Sequence, residues 1–141
     1  MPAACLFCKI VRGEEPGHVV LESERCVAFL DVRPVFPGHC LLVPREHHET
    51  LASLPAELVA PLFADARRLA RAVEVALRAD GTFVAMNNNV SQSVPHLHVH
   101  VVPRRFKDGL RGFFWPRQKY PDGAAMEAVR AAIAAELSSA S

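Results

Sequence analysis

Short runs of apolar and β-branched residues, which are typical of strands, alternate with polar segments over most of the chain. The first two runs, Val19–Leu21 and Cys26–Leu30, flank the polar segment ESER, so they predict a hairpin. The proline-containing segment RPVFPG follows as a predicted loop. Three further runs predict strands: 39–44, which ends at Pro44, then 82–85, and then 96–103.

One long segment between the third and fourth predicted strands has the period of a helix. Its apolar positions recur near every 3.6 residues, at Leu58, Pro61, Leu62, Leu69, Val73 and Leu77. Pro55 suits the first turn of this helix, and Gly81 suits its end. A second, shorter amphipathic helix is predicted near the C-terminus, in the segment AAMEAVRAAIAAEL.

These elements predict an α+β fold with a mainly antiparallel sheet of about five strands, one long helix packed on it and a short C-terminal helix. A chain of 141 residues suits one compact domain with a substantial core. We therefore expect a single domain over residues 1–141. Within it, residues 1–15 form an N-terminal segment and residues 106–141 form a C-terminal tail and helix.

Charge and composition exclude two classes of partner. The chain has 16 basic and 15 acidic residues, which is no electrostatic footprint for nucleic acid or an anionic membrane. We see neither a signal peptide nor a run of about 18 to 20 apolar residues, so we expect a cytoplasmic protein that spans no membrane. In a reducing cytoplasm Cys26 and Cys40, which lie in apolar strand patterns, are expected to be buried free thiols.

Three of the seven histidines occupy every second position of the last predicted strand. His96, His98 and His100 therefore share one face of that strand, and the apolar residues between them can pack in the core. The Cα atoms of His96 and His100 would lie about 13 Å apart, whereas zinc–nitrogen bonds are about 2.0 to 2.1 Å long. One ion cannot easily bind all three imidazoles, so at least one histidine has another role.

A polar segment, NNNVSQS, immediately precedes this row. Its backbone N–H groups, together with the side chains of Gln92 and Ser93, can hold an anion such as a phosphate. An imidazole beside a bound phosphate can attack phosphorus or stabilise developing charge. The alternative, a surface strand with chance histidines, leaves the polar segment beside the row unexplained.

The segment HLHVHVV, residues 96–102, resembles the signature of the histidine-triad (HIT) family, His-φ-His-φ-His-φ-φ with φ hydrophobic. CLFCKIVRGEEP and VAFLDVRPVFPGHCLLVPREH resemble the N-terminal and middle segments of the family, so the resemblance covers nearly the whole chain. It implies a HIT-like fold and a nucleotide hydrolase or nucleotidyl transferase. It also implies a homodimer in which the two sheets are continuous.

The resemblance assigns catalytic roles to three histidines. His98 would attack the α-phosphorus of a nucleotide conjugate, such as a dinucleoside polyphosphate or a nucleoside phosphoramidate. Water or phosphate would then release the nucleotide from the covalent nucleotidyl-histidine. His100 would contact the phosphate oxygens and either help stabilise charge or protonate the leaving group. His39 would support the triad from a neighbouring strand, unless it is only a polar residue at a strand start.

The resemblance also implies a nucleotide-binding set. Its members would be Asp31, Asn87, Gln92, Ser93, His98 and His100. Asp31 matches the position that contacts the ribose hydroxyls, and its alternative role is to start the turn before RP. Phe7, Phe29 and Leu30 could wall the base pocket or simply belong to the core. An adenine nucleotide is the expected partner, with the base preference left open.

The loop before the row departs from the pattern of the family. It lacks glycine, and Ser91 stands where relatives have one, which puts the geometry of the phosphate cradle in question. Either Asn87 or Asn88 would supply the polar contact of this loop. Relatives also diverge in the segment LRGFFWPRQKY, where Trp115 either reaches the site of one chain or its dimer partner, or only packs.

Cys5 and Cys8 form a C-x-x-C pair outside any thioredoxin-like context. A structural zinc needs four ligands in a tetrahedron, and His47 and His96 are candidates for the other two, with His48 as the alternative to His47. The resemblance supports this set, because zinc-containing relatives pair such a C-x-x-C with histidines at these two places. We therefore expect one structural zinc per chain.

Two other functions remain open. A nucleotide-binding or scaffold protein with little turnover would have the same fold, although binding alone needs no nucleophile. A zinc hydrolase would use the histidine row as its metal site, which the spacing along the strand opposes.

Overall fold

A computed structural model describes residues 4–139. The part of the chain up to Asp108 contains a short helix, five strands and a long helix, and the part from Gly109 contains one further helix. The helices are α1 (Leu6–Val11), α2 (Ala56–Leu77) and α3 (Gly123–Ser139). The strands are β1 (Val19–Glu22), β2 (Cys26–Leu30), β3 (Cys40–Pro44), β4 (Gly81–Ala85) and β5 (Val99–Arg104).

The five strands form one sheet in the order β1-β2-β3-β5-β4, and all four neighbouring pairs are antiparallel. The predicted α+β class and the hairpin of β1 and β2 are confirmed. The connection from β3 to β4 runs through α2, and β5 then inserts between them. This insertion places the histidine row beside the middle of the sheet, since His100 pairs with Leu41 of β3 on one side and Ala85 of β4 on the other.

Helix α2 packs on one face of the sheet and closes the larger of two hydrophobic clusters. Its buried residues include Leu58, Leu62, Leu69 and Val73, which confirms the helical period found in the sequence. The predicted end of the helix was wrong. Arg78 ends it in the left-handed conformation, with φ of 52°, and its N–H bonds to carbonyls of the last turn, so Gly81 is free to begin β4.

The opposite face of the sheet carries α1, which the sequence analysis did not predict. This helix has only six residues, too few to be stable alone in water. Cys5 caps its N-terminus, since the Cys5 Sγ accepts a hydrogen bond from the Cys8 N–H at 3.4 Å. Its buried Phe7 and Cys8 pack with β2 and β3 residues in the second cluster, so tertiary contacts hold it in place.

The histidine row begins before its strand does. Regular pairing of β5 starts at Val99, whereas we predicted a strand from His96. Pro44 ends β3 opposite this point and has no N–H to donate, so the ladder cannot continue. Alternation nevertheless persists, because Leu97, Val99 and Val101 are all buried in the cluster under α2.

The chain divides into two compact units, one ending at Asp108 and the other beginning at Gly109. In the second unit α3 extends a little beyond the predicted segment at both ends, and none of its described residues is buried. The single domain over 1–141, its tail from 106 and the homodimer stay predictions. Among residues 4–139, no helix combines the length and the apolar character that crossing a membrane requires.

The turn before β3 depends on Gly38, which precedes His39. Its φ is +101°, and a Cβ at this position would overlap Cδ1 of Leu77. We expect Gly38→Ala to lower the free energy of unfolding by about 1 to 3 kcal/mol, because alanine strongly disfavours this backbone conformation. Urea denaturation measures the change. Gly81→Ala is the control, since a Cβ there meets nothing within 4 Å and should change stability by less than about 1 kcal/mol.

Candidate active site and metal centre

The middle histidine of the row is oriented by the backbone. His98 is 4% exposed, and its Nδ1 lies 2.8 Å from the carbonyl oxygen of His96. A carbonyl only accepts hydrogen bonds, so Nδ1 carries the proton and donates it. In neutral His98 the lone pair is therefore on Nε2, the nitrogen suited to attack an electrophile.

His39 and His100 form a relay with a defined direction. The Val35 N–H donates to His39 Nδ1 at 3.0 Å, so neutral His39 carries its proton on Nε2. That nitrogen lies 2.9 Å from Nδ1 of His100 and donates to it. Neutral His100 then has its own proton on Nε2, where it can serve as a hydrogen-bond donor.

Burial keeps this relay neutral near pH 7. Desolvation, followed by the nearby His98 and His39, lowers the pKa of His100 to about 4. Desolvation also lowers the pKa of His39, and the neighbouring Asp31 carboxylate opposes that shift only in part. The tautomers deduced from the hydrogen bonds therefore describe the site at physiological pH.

Asp31 lies where β2 ends and does two things. Its Oδ1 accepts the Arg33 N–H at 2.9 Å, which is the turn-starting role considered from the sequence. Its Oδ2 lies 3.7 Å from Nε2 of His39, and the residue also lines the cleft in front of the histidines. The two roles are compatible, because each uses a different carboxylate oxygen.

A cleft of about 430 Å³ opens in front of the histidine row. Asp31, Ser93, His98 and His100 contribute polar groups to it. Its apolar wall includes the predicted Phe7, Phe29 and Leu30, and also the α1 residues Leu6 and Ile10, which the sequence analysis missed. The i, i+4 spacing of Leu6 and Ile10 was the available signal, but so short a helix gave too few positions to establish a period.

The loop before the row adopts glycine-like conformations without glycine. Asn89 has φ of 67° and Ser91 has φ of 59°, both in the left-handed region. Gln92 braces this loop, since its Oε1 accepts the Asn89 N–H at 2.9 Å and its Nε2 donates to the Glu49 carbonyl at 2.6 Å. The backbone therefore turns at Ser91 as glycine would allow, and the fit of this loop to a phosphate stays a prediction.

The predicted loop contacts to a nucleotide separate into two groups. Ser93 lines the cleft, whereas Asn87, Asn88 and Gln92 do not. Asn88 accepts the Leu51 N–H at 2.8 Å through its Oδ1, so it ties the loop to the segment before α2. The Asn87 side chain is exposed. Asn88 and Gln92 brace the loop in this structure, and contact of any of the three residues with a nucleotide stays a prediction.

The first histidine of the row belongs to a second cluster, which consists of Cys5, Cys8, His47 and His96. Their ligand atoms all lie within 4.8 Å of one another. The Nε2 of His96 is 2.9 Å from the Pro44 carbonyl, so this nitrogen carries the proton and the lone pair on Nδ1 faces Cys5 and Cys8 at 3.5 Å. Two thiols and two imidazoles form a donor set that suits a tetrahedral metal.

The choice between the neighbouring histidines follows from their directions. Nδ1 of His47 lies 3.4 Å from Sγ of Cys8, within the cluster. The His48 ring instead lies 3.2 Å from the Glu46 carboxylate, and its carbonyl accepts the Leu97 N–H. His47 is therefore the one placed to complete the set.

Asp31, His39 and His100 also bring possible ligand atoms within 4.8 Å of one another. The proton on Nε2 of His39 occupies the nitrogen that faces the other two residues. A protonated nitrogen has no lone pair for a metal. This group is consequently a hydrogen-bonded relay, and the Cys–His cluster is the better metal centre.

Trp115 belongs to the second unit and is 69% exposed there. Its ring packs on that of Phe114, with centroids 5.5 Å apart. Whether it also reaches a nucleotide site stays a prediction.

The lowered pKa of His100 makes stability depend on pH. His100 takes up a proton near pH 6.5 in the unfolded chain and only near pH 4 in the folded chain. The free energy of unfolding therefore decreases as pH falls through this window. We expect His100→Gln to lose less stability than the wild type between pH 7 and pH 5, by on the order of 1 kcal/mol after solvent screening. Urea denaturation at both pH values measures this, and equal losses would contradict it.

Comparison with known proteins gives consistent results. A model of the HIT domain family matches residues 12–107, which is more than half of the chain. The adenosine 5′-monophosphoramidase of Saccharomyces cerevisiae is 34% identical over 122 residues, covering 84% of this chain and 74% of that protein. An adenylylsulfatase of Arabidopsis thaliana is 34% identical over 108 residues, covering 75% of this chain and 55% of that protein.

Solved structures agree in fold. A crystal structure of a Streptococcus mutans protein has a TM-score of 0.89 and 37% identity, covering 97% of this chain and 87% of that one. A zinc-bound histidine triad family protein from Mycobacterium smegmatis has a TM-score of 0.73 and 38% identity, covering 97% of this chain and 98% of that one.

Proposed function

We propose that this chain, which belongs to the HIT domain family and is a nucleotide hydrolase of that family, cleaves its substrates at the α-phosphorus through a covalent nucleotidyl-His98 intermediate. Its relatives include an adenosine monophosphoramidase and an adenylylsulfatase, so an adenine nucleotide conjugate is the substrate class that we propose. Phosphoramidates and dinucleoside polyphosphates both present the required phosphorus.

The hydrogen bond from His98 Nδ1 to the His96 carbonyl supports this proposal most directly. It leaves Nε2 unprotonated on a residue that lines the cleft, so this nitrogen can attack without first losing a proton. The new N–P bond makes the imidazole ring cationic. The His96 carbonyl stabilises that charge through the same hydrogen bond, and the cationic ring later departs from phosphorus as neutral imidazole when water attacks.

His100 supplies a neutral hydrogen-bond donor beside the nucleophile. Its Nε2–H can donate to a non-bridging phosphate oxygen, where negative charge increases in the transition state. The His39 relay fixes this tautomer, which makes His39 a positioning residue in the proposal. Because both relay imidazoles are neutral, an amine leaving group takes its proton from water as the P–N bond breaks.

The rest of the cleft matches a nucleoside phosphate in character. Asp31 can accept hydrogen bonds from two ribose hydroxyls, and Ser93 can donate to a phosphate oxygen. The apolar wall formed by α1 and β2 suits a planar base. A polar end beside an apolar end is the arrangement that would orient a nucleotide with its α-phosphorus at His98.

The intermediate is tested by intact-mass measurement within seconds of mixing the protein with adenosine 5′-phosphoramidate, under conditions that preserve acid-labile adducts. We expect a transient adenylyl adduct on the wild type and none on His98→Ala, with AMP release slowed by at least about a thousandfold. His18→Ala, at an exposed histidine outside the cleft, is the control and should retain the adduct.

Three outcomes separate the alternatives. Neither adduct nor AMP release, from this substrate or from diadenosine polyphosphates, would indicate a nucleotide-binding protein with little turnover. AMP release without an adduct, together with a nearly unchanged rate in His98→Ala, would indicate direct attack by water. AMP release that His98→Ala abolishes would indicate an intermediate too short-lived to isolate.

We also propose that the metal at Cys5, Cys8, His47 and His96 is one structural zinc per chain. The zinc-bound relative from Mycobacterium smegmatis and the donor set of this chain both support that choice. Burial and the neighbouring Cys5 raise the pKa of the Cys8 thiol to about 11, so the metal must displace a proton when it binds.

Metal analysis of protein purified without a histidine tag tests this site. We expect about one equivalent of zinc in the wild type, in agreement with one tetrahedral site. His47→Ala should weaken zinc binding at least tenfold, measured against a chromophoric chelator, and the adjacent His48→Ala should leave it unchanged. Less than a tenth of an equivalent in the wild type would contradict the proposal.

A further inference from the structure

Helix α1 takes part in both sites. Cys8 lies on it and Cys5 directly precedes it, and these two residues supply half of the metal ligand set. On its other side Leu6, Phe7 and Ile10 line the nucleotide cleft. One helix of six residues thus lies between a candidate metal centre and the candidate nucleotide cleft.

The helix depends on its surroundings for its conformation. In a helix of six residues the unfavourable nucleation step is followed by almost no propagation, so the helix is unstable on its own. The Cys8 N–H in its first turn is capped by the Cys5 sulfur, and its buried side chains pack on β2 and β3. A bound metal would be held by both cysteines and by two histidines, His47 after β3 and His96 before β5. It would so fix α1 to the sheet.

Phe7 connects the two sites physically. Its ring contacts the His98 ring edge-to-face, with centroids 5.0 Å apart, and the His96 ring at 6.0 Å. It also packs edge-to-face on Phe29 at 5.3 Å, within the apolar wall of the cleft. One aromatic side chain therefore touches a metal ligand, the nucleophile and the base wall together.

We propose that metal occupancy at this centre regulates the nucleotide cleft, because metal and nucleotide each stabilise the same position of α1 and so strengthen one another's binding. The inference rests on the proposed function, since it requires the cleft to be the nucleotide site. Linkage makes the effect reciprocal, so the factor by which zinc tightens nucleotide binding equals the factor by which the nucleotide tightens zinc binding.

Calorimetric titration with AMP, a non-reacting product, measures the first half of the cycle. We expect the dissociation constant for AMP to be about tenfold lower in zinc-loaded protein than in protein stripped of zinc, within the usual range of such couplings. Competition with a chromophoric chelator measures the second half. Saturating AMP should lower the dissociation constant for zinc by the same factor.

Two further measurements locate the coupling in α1. Hydrogen exchange of residues 6–11 should slow when zinc binds alone and again when AMP binds. Phe7→Leu keeps all four ligands and should reduce the ratio of the two AMP dissociation constants toward one. Phe63→Leu, at an exposed phenylalanine of α2, is the matched control and should leave that ratio unchanged.

The outcomes are distinguishable. Failure of AMP to bind zinc-loaded protein would contradict the proposed function itself. Equal AMP affinity with and without zinc would overturn the coupling and leave the function intact. Global unfolding of the stripped protein, seen by circular dichroism, would also overturn it, because the metal would then control the whole fold and not α1.

Discussion

The hydrogen bond between the His98 ring and the His96 carbonyl decides the chemistry of the cleft. It selects one tautomer and leaves the lone pair on Nε2, and in the mechanism that we propose it also provides an acceptor for the charge that develops on the ring during attack. This arrangement requires a carbonyl that no strand ladder uses, and the structure provides it by starting β5 only at Val99. The interruption of β3 at Pro44 and the chemistry of the row are therefore parts of one arrangement.

Low polarity around the row has a matching effect. Burial lowers the pKa of His100 and of His39, so both imidazoles are neutral near pH 7. Hydrogen bonds then determine every proton position in the relay from Val35 to His100. A neutral, directed set of donors needs little reorganisation when negative charge develops on a phosphate.

Much of this arrangement could be predicted from the sequence, and the exceptions have physical causes. Strands and the long helix have periods that tertiary packing reinforces, and the two-residue spacing of the histidines is enough to place them on one face of a strand. Helix α1 was missed because six residues show no period, and its stability comes from β2 and β3. The end of α2 was misplaced because Arg78 adopts a conformation that favours glycine.

The backbone of the loop at Asn89 and Ser91 was hard to predict for the same reason, because two polar residues adopt the left-handed conformation that glycine favours. Bracing by Gln92 and Asn88 explains how the loop retains this backbone, and that bracing depends on residues near Glu49 and Leu51 that lie far away in the sequence. Spacing alone cannot predict contacts of that kind.

Orientation of the His98 ring by a peptide carbonyl also determines how the site would respond to substitution. An orienting side chain can be lost in one substitution, but every residue at position 96 retains a carbonyl. A mutation there removes the imidazole that faces the cysteines and leaves the acceptor for His98 in the chain. The acceptor that sets the tautomer of His98 is therefore independent of which side chain stands at position 96, whereas the Cys–His cluster is not.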